Sequence, residues 1–87
     1  MKTFFKPSFV KDFKKLPPQI KQKVEVICFW DFFSLLNKKE LDVKALKGFK
    51  GYYRVRLGDY RIGFKKESDC VVFMRVKHRK DIYKLFP

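Results

Sequence analysis

From Tyr52 to Lys77, apolar and basic residues alternate with a period of two, and two short breaks cut the run into three segments. Tyr52-Tyr53-Arg54-Val55-Arg56-Leu57 alternates up to Gly58-Asp59, a two-residue hairpin signal, and Tyr60-Arg61-Ile62-Gly63-Phe64-Lys65 alternates again. Glu67-Ser68-Asp69 makes the next turn, and Cys70 to Lys77 is the third strand. Because a period of two sends successive side chains to opposite faces, the spacing predicts an antiparallel meander with one apolar and one basic face. A two-residue loop at Gly58-Asp59 pairs Leu57 with Tyr60, Arg56 with Arg61 and Val55 with Ile62. Tyr53, Val55, Leu57, Tyr60, Ile62 and Phe64 then share the core face, while Arg54, Arg56, Arg61 and Lys65 share the other. A three-residue loop at 67–69 would set Phe64 opposite Val72, Ile62 opposite Met74 and Arg61 opposite Arg75. It also brings Phe73 and Lys77 to the basic face, with Phe73 across from Gly63.

Before Tyr52 the period is helical. Thr3-Phe4-Phe5 reads as a short first strand ending at Lys6-Pro7, and Ser8 as the N-cap of a helix carrying Phe9, Val10, Phe13 and Leu16. Pro17-Pro18 breaks that helix and opens a second from about Gln19 to Leu36, with Ile20, Val24, Ile27 and Cys28 facing inward and Asn37 as its stop. Lys38 to Gly51 reads as a linker anchored by Leu41, Val43 and Leu46, and His78 to Phe86 as a terminal helical turn or tail. The expected fold is α+β in one domain spanning 1–87: N-terminal strand, helical hairpin, three-stranded antiparallel meander and short C-terminal helix. The second helix is apolar on almost every side at Phe29, Trp30, Phe32 and Phe33. Part of that aromatic mass is expected in the core and the rest on a surface for another chain.

Charge narrows the function. The 87 residues hold 22 Lys+Arg against 9 Asp+Glu, a formal +13, while 46% hydrophobic and 18% aromatic content excludes a disordered basic tail. Val26 to Trp30, the longest apolar run, is too short to span a bilayer, and nothing at the N-terminus reads as a signal peptide, so no membrane partner is expected. Cys28, Cys70 and one histidine lack the spacing of a disulfide framework or a metal site, which leaves no cofactor and a reduced, cytoplasmic setting as the expectation. All five arginines lie in the second half, and the guanidinium fork matches two phosphate oxygens. Like charges opposite one another in a sheet cost roughly 0.2–1 kcal/mol per pair. A transverse Arg56–Arg61–Arg75 row is therefore an anion site held at a cost, and the abundant intracellular polyanion is nucleic acid.

Leu46-Lys47-Gly48, Tyr53-Arg54-Val55-Arg56-Leu57, Gly58-Asp59-Tyr60-Arg61-Ile62 and Val76-Lys77-His78-Arg79-Lys80-Asp81-Ile82-Tyr83 together resemble the RelE branch of the RelE/ParE superfamily of toxins from type II toxin–antitoxin systems. The resemblance runs over nearly the whole chain in element order. It implies a ribosome-dependent, metal-independent endoribonuclease that cuts messenger RNA by attack of a ribose 2′-hydroxyl on the adjacent phosphodiester. Arg54 and Arg56 match the family's two basic positions of the first meander strand, although lysine is frequent there and arginine is a poor proton acceptor. Arg61 matches a phosphate-contacting arginine, Tyr83 a tyrosine that orients the scissile nucleotide, and Lys77, with Arg79 two residues on, the late basic position implicated as acid. Lys47 matches a basic residue before the linker glycine; with Lys65, Phe73 and Arg75 it completes the expected RNA-binding set. His78 is the one side chain whose ordinary pKa suits acid–base work, although strict alternation turns it away from the arginines.

The resemblance also implies an antitoxin partner with an acidic amphipathic segment, for which Phe29, Trp30, Phe32 and Phe33 are the candidate contacts. Three alternatives stand beside the nuclease. One is a ParE-like inhibitor of DNA gyrase on the same fold, and another a catalytically weak toxin homologue. The third is an RNA-binding module using the arginine face with Phe73 as a stacking platform.

Overall fold

In the computed structural model, which describes residues 1–87, the three alternating segments form the middle of a five-stranded sheet. The strands are β1 (Lys2–Phe5), β2 (Asp42–Ala45), β3 (Tyr52–Leu57), β4 (Tyr60–Lys66) and β5 (Cys70–His78), in the order β1-β5-β4-β3-β2. β1 pairs with β5 in parallel and every other neighbour is antiparallel. Helices α1 (Pro7–Lys14), α2 (Pro18–Glu25) and α3 (Phe32–Asn37) supply the crossover from β1 and cover one face. Their buried Phe9, Val24, Ile27, Cys28 and Phe32 pack with Val55, Ile62, Phe64, Val71, Phe73 and Val76 into one core. No helix is long and apolar enough to cross a membrane.

Four expectations need correction. The linker 38–51 contains β2, whose four residues are too short and too charged to show alternation; Val43 lies opposite Val55 and Asp42 opposite Arg56. The second helix is not continuous, because a π-helical segment, Val26–Trp30, follows α2 and Asp31 separates it from α3. The amide of Asp31 donates to the Val26 carbonyl (3.0 Å), and this wider turn rotates the aromatic residues that follow relative to an ideal helix. Ser8 does not cap α1. The helix begins at Pro7 after Lys6, and the Ser8 hydroxyl donates to the Met74 carbonyl of β5 at 2.7 Å.

The fourth correction concerns the second hairpin. The Glu67 amide donates to the Cys70 carbonyl (2.9 Å) and Lys66 pairs with Val71, so the loop is Ser68-Asp69 rather than three residues. A bulge then inserts Met74: Phe64 lies opposite Phe73, but Gly63 lies opposite Arg75. Each event slips the register by one residue. Between turn and bulge the faces are the reverse of those expected; beyond the bulge two slips restore them, with Ile62 opposite Val76 and Arg61 opposite Lys77. Phe73 therefore points into the core, fully buried, with its ring centroid 4.9 Å from Phe32 and 5.4 Å from Phe5. It is no RNA-stacking platform.

Candidate functional site

The sheet face opposite the helices is built from transverse rows. At the hairpin end the row is Asp42–Arg56–Arg61–Lys77, and the next is Lys44–Arg54–Gly63–Arg75. A third row runs Tyr52–Lys65–Val72–Phe4. Alternation along β3 and β4 thus brings Arg54, Arg56 and Arg61 together as expected, and β2 adds a carboxylate, Asp42, beside Arg56.

The cations differ sharply in what already holds them. Arg56 is exposed. Arg61 is 8% exposed, and its Nη1 donates to the carbonyls of Gly58 (2.7 Å) and Tyr60 (2.8 Å), so the hairpin turn pins its guanidinium. Arg54 carries the one buried side-chain polar atom without a hydrogen-bond partner, its Nη1. An orphaned N–H of this kind costs about 1–3 kcal/mol, more on a charged group, and an anion would satisfy it.

Arg75 and Lys77 are committed elsewhere. Asp12 of α1, 5% exposed, accepts from Arg75 Nε (2.8 Å, Oδ2), Arg75 Nη2 (3.0 Å, Oδ1) and the Val76 amide (3.2 Å), and lies 3.4 Å from Lys77 Nζ. β1 ends at Phe5, so β5 beyond Phe73 has no strand partner on that side, and α1 caps its edge through Asp12 and Ser8. The expected RNA-binding fork of Arg75 is therefore occupied, and the charge of Lys77 is offset by the same carboxylate. A lone acid among lysines on α1 gave no signal of this, since the contact joins residues 63 positions apart.

Nor is the face fully open. After β5 a 3₁₀ turn, Ile82–Lys84, folds the C-terminal segment back, burying Ile82 and Phe86. The Phe86 ring rests on Gly63, where an added Cβ would lie 2.7 Å from three ring atoms. A glycine inside an alternating strand is the signal that could have disclosed this close approach. By register the ring sits between Arg54 and Arg75. Tyr83, 56% exposed, rides on this covering segment.

His78 lies opposite Tyr60, with ring centroids 5.4 Å apart, on the side of the sheet away from the arginines. Its Nδ1 accepts from the Lys80 amide (3.2 Å), which puts the proton of the neutral ring on Nε2. Arg79 is exposed, 3.7 Å from Asp59. Lys65 stands 5.3 Å over the Tyr52 ring and 3.7 Å from Glu67, and Lys47 is exposed on the β2–β3 loop. Burial pushes the Cys28 thiol up from its ordinary value, which keeps it a neutral packing group. No three His, Cys, Asp or Glu side chains converge on a point where they could share a metal ion.

The four aromatic partner-surface candidates divide. Phe32 is buried, edge-on to Phe64 (5.2 Å) and Phe73, and is corrected from partner surface to core. Phe33 is half-buried beside it, and Phe29 stacks on Phe5 at 4.5 Å with 39% exposure. Trp30 projects, 74% exposed.

The chain matches the family model of the ParE toxin of type II toxin–antitoxin systems, parDE, over residues 4–83. It is 43% identical to toxin RelE3 of Methanocaldococcus jannaschii over the full length of both chains. Among solved structures it resembles the RelB–RelE antitoxin–toxin complex from Methanococcus jannaschii, with a TM-score of 0.76 and 39% identity, covering 97% of this chain and 99% of that one. The RelBE2 toxin–antitoxin complex of Mycobacterium tuberculosis follows at a TM-score of 0.71 and 28% identity over 90% and 96%. The chain belongs to the RelE/ParE superfamily of type II toxin–antitoxin toxins and, within it, to the RelE branch.

Proposed function

We propose that this protein is a ribosome-dependent endoribonuclease that cuts messenger RNA without a metal ion and is silenced by an acidic antitoxin. The observation that carries the reading is exposed Arg56 directly opposite pinned Arg61, with Arg54 and its orphaned Nη1 in the adjacent row of the same sheet face. In the reaction a ribose 2′-oxygen gives up its proton to water and bonds to phosphorus while the bond to the 5′-oxygen breaks and that oxygen takes a proton from water, leaving a 2′,3′-cyclic phosphate and a 5′-hydroxyl. Negative charge builds on the phosphoryl oxygens on the way, which is what fixed guanidinium groups stabilise without having to move. Arginine is too weak an acid to relay protons here, so Arg54, Arg56 and Arg61 act electrostatically. Tyr83 orients the nucleotide from the covering segment, and exposed Arg79 is the remaining cation toward the leaving group, with Lys77 contributing only what Asp12 leaves of its charge. His78, turned to the other side of the sheet, takes no part. Orientation of the message by the ribosome supplies what a site poor in acid–base groups lacks, up to ~7–11 kcal/mol.

The antitoxin reading rests on likeness to RelB–RelE complexes, on the +13 charge and on Trp30 and Phe29 left exposed beside half-buried Phe33.

Arg56→Ala is the direct test, because that side chain is exposed and its loss leaves the fold intact. Primer extension on translating ribosomes is expected to show cut messages with the wild type and a reduction of at least tenfold with the variant. Undiminished cutting by Arg56→Ala would refute the site. The ParE description of the matching family model favours a second reading, inhibition of DNA gyrase, which predicts blocked replication with messages intact.

A further inference from the structure

We propose that Phe49 and Tyr52 form a stacking subsite for one base of single-stranded RNA, next to the arginine rows; it rests on the RNA-cleaving reading above and names where the strand runs beyond the cleaved bond. Phe49 sits at the tip of the loop joining β2 to β3, 51% exposed. The loop is built rather than slack. The Leu46 amide donates to the Tyr52 carbonyl (2.8 Å), the Phe49 amide to Leu46 (3.3 Å) and the Tyr52 amide to Phe49 (3.1 Å). Gly48 and Gly51, at φ 84° and 86°, allow the chain to close in this way. A large apolar ring held at a fixed place in water has no role in the core.

Its surroundings suit a nucleotide. Lys47 and Lys50 flank the ring in sequence and are exposed. Phe49 meets Tyr52 edge-on at 6.5 Å, Tyr52 meets Phe86 at 5.9 Å, and Phe86 lies on Gly63 beside Arg54. The three rings thus form a file that leads from the loop to the arginine row, with Lys65 standing over the Tyr52 ring. A strand whose phosphate is held by Arg54 and Arg56 passes this file within a nucleotide or so. Cations for phosphates beside an exposed ring for a base is the arrangement single-stranded nucleic acid requires, and it tolerates any base because each has a π-face. An acidic peptide shares the charge complementarity but gives no reason for the ring file to run into the arginine row.

The test uses the full chain and a short 2′-O-methyl RNA, which cannot be cut, carrying 2-aminopurine at successive positions. Stacking quenches its emission. Wild-type protein at low salt is expected to quench one position strongly. Phe49→Ala is expected to restore emission there and to weaken binding about fivefold to a hundredfold, with Phe49→Trp retaining both. Arg56→Ala weakens binding but leaves the quenching at saturation. Wild-type affinity and quenching in Phe49→Ala would overturn the subsite, as would absence of quenching at every position with the wild type. Loss of an acidic antitoxin peptide with RNA binding intact would overturn it in favour of a protein contact. Message cutting on ribosomes, measured separately, decides the parent reading whichever way this comes out.

Discussion

Gly63→Ala isolates the contact that holds the C-terminal segment over the arginine face. The added methyl would sit 2.7 Å from Cγ, Cδ2 and Cε2 of Phe86, well inside van der Waals contact, so the ring must leave its seat. Gly63 is not in the left-handed region, so alanine suffers no backbone strain there and gains about 0.4–1 kcal/mol from a less flexible unfolded chain. Against this, forcing a methyl into a filled site costs about 1–3 kcal/mol. The net expectation is a loss of about 1–2 kcal/mol, read as a fall in Tm of about 4–8 °C for each kcal/mol in a domain of this size. The loss should be local. The Leu85 and Phe86 amides, which donate to the Ile82 carbonyl at 2.9 and 2.8 Å, should exchange with solvent faster than in the wild type while β3 to β5 keep their protection. A double-mutant cycle sharpens the result. Once Phe86→Ala has removed the ring, Gly63→Ala should stabilise by about 0.4–1 kcal/mol, so the coupling equals the steric cost of about 1–3 kcal/mol and exceeds the net penalty of the single variant. On the proposed ribonuclease reading, in which Tyr83 rides on the released segment, message cutting should fall through kcat more than through KM. Wild-type Tm with unchanged exchange at Leu85 and Phe86 in Gly63→Ala would refute the reasoning.

Asp12→Asn should cost about 3–5 kcal/mol in urea unfolding, because it leaves Arg75 and Lys77 without their buried counter-charge. Phe32→Ala should lose about 3–5 kcal/mol as a core truncation, whereas Trp30→Ala should stay within about 0.5 kcal/mol of wild type while weakening capture of an antitoxin peptide; equal stability effects would contradict the burial assigned to the pair. With Cys70→Ser as background, a thiol-exchange reagent should find no reactive thiolate at neutral to mildly alkaline pH until denaturant is added, since burial holds Cys28 protonated above its ordinary range; rapid labelling of the folded variant would contradict this.

The sequence by itself determined whatever depends on near neighbours. Alternation from Tyr52 to Lys65, with Gly58-Asp59 between, was enough to place the first hairpin in its observed register and to gather Arg54, Arg56 and Arg61 on one face. That is so because side-chain direction in a strand follows from backbone geometry residue by residue. The inward stripe of Val24, Ile27 and Cys28 was legible for the same reason, whereas the family resemblance rested on a likeness of motifs. Tertiary structure alone decided the features that depend on packing between distant segments. A turn one residue tighter and a bulge at Met74 carried Phe73 into the core, because that fully buried ring fits against Phe5, Phe9 and Phe32. The bare edge of β5 needed hydrogen-bonding partners, and α1 supplied Asp12, which removed Arg75 and Lys77 from the unencumbered cations. A glycine with no side chain left a seat that Phe86, 23 positions later in the chain, came back to fill. Local periodicity says which way a side chain points, whereas only the folded molecule shows what already occupies the space it points into.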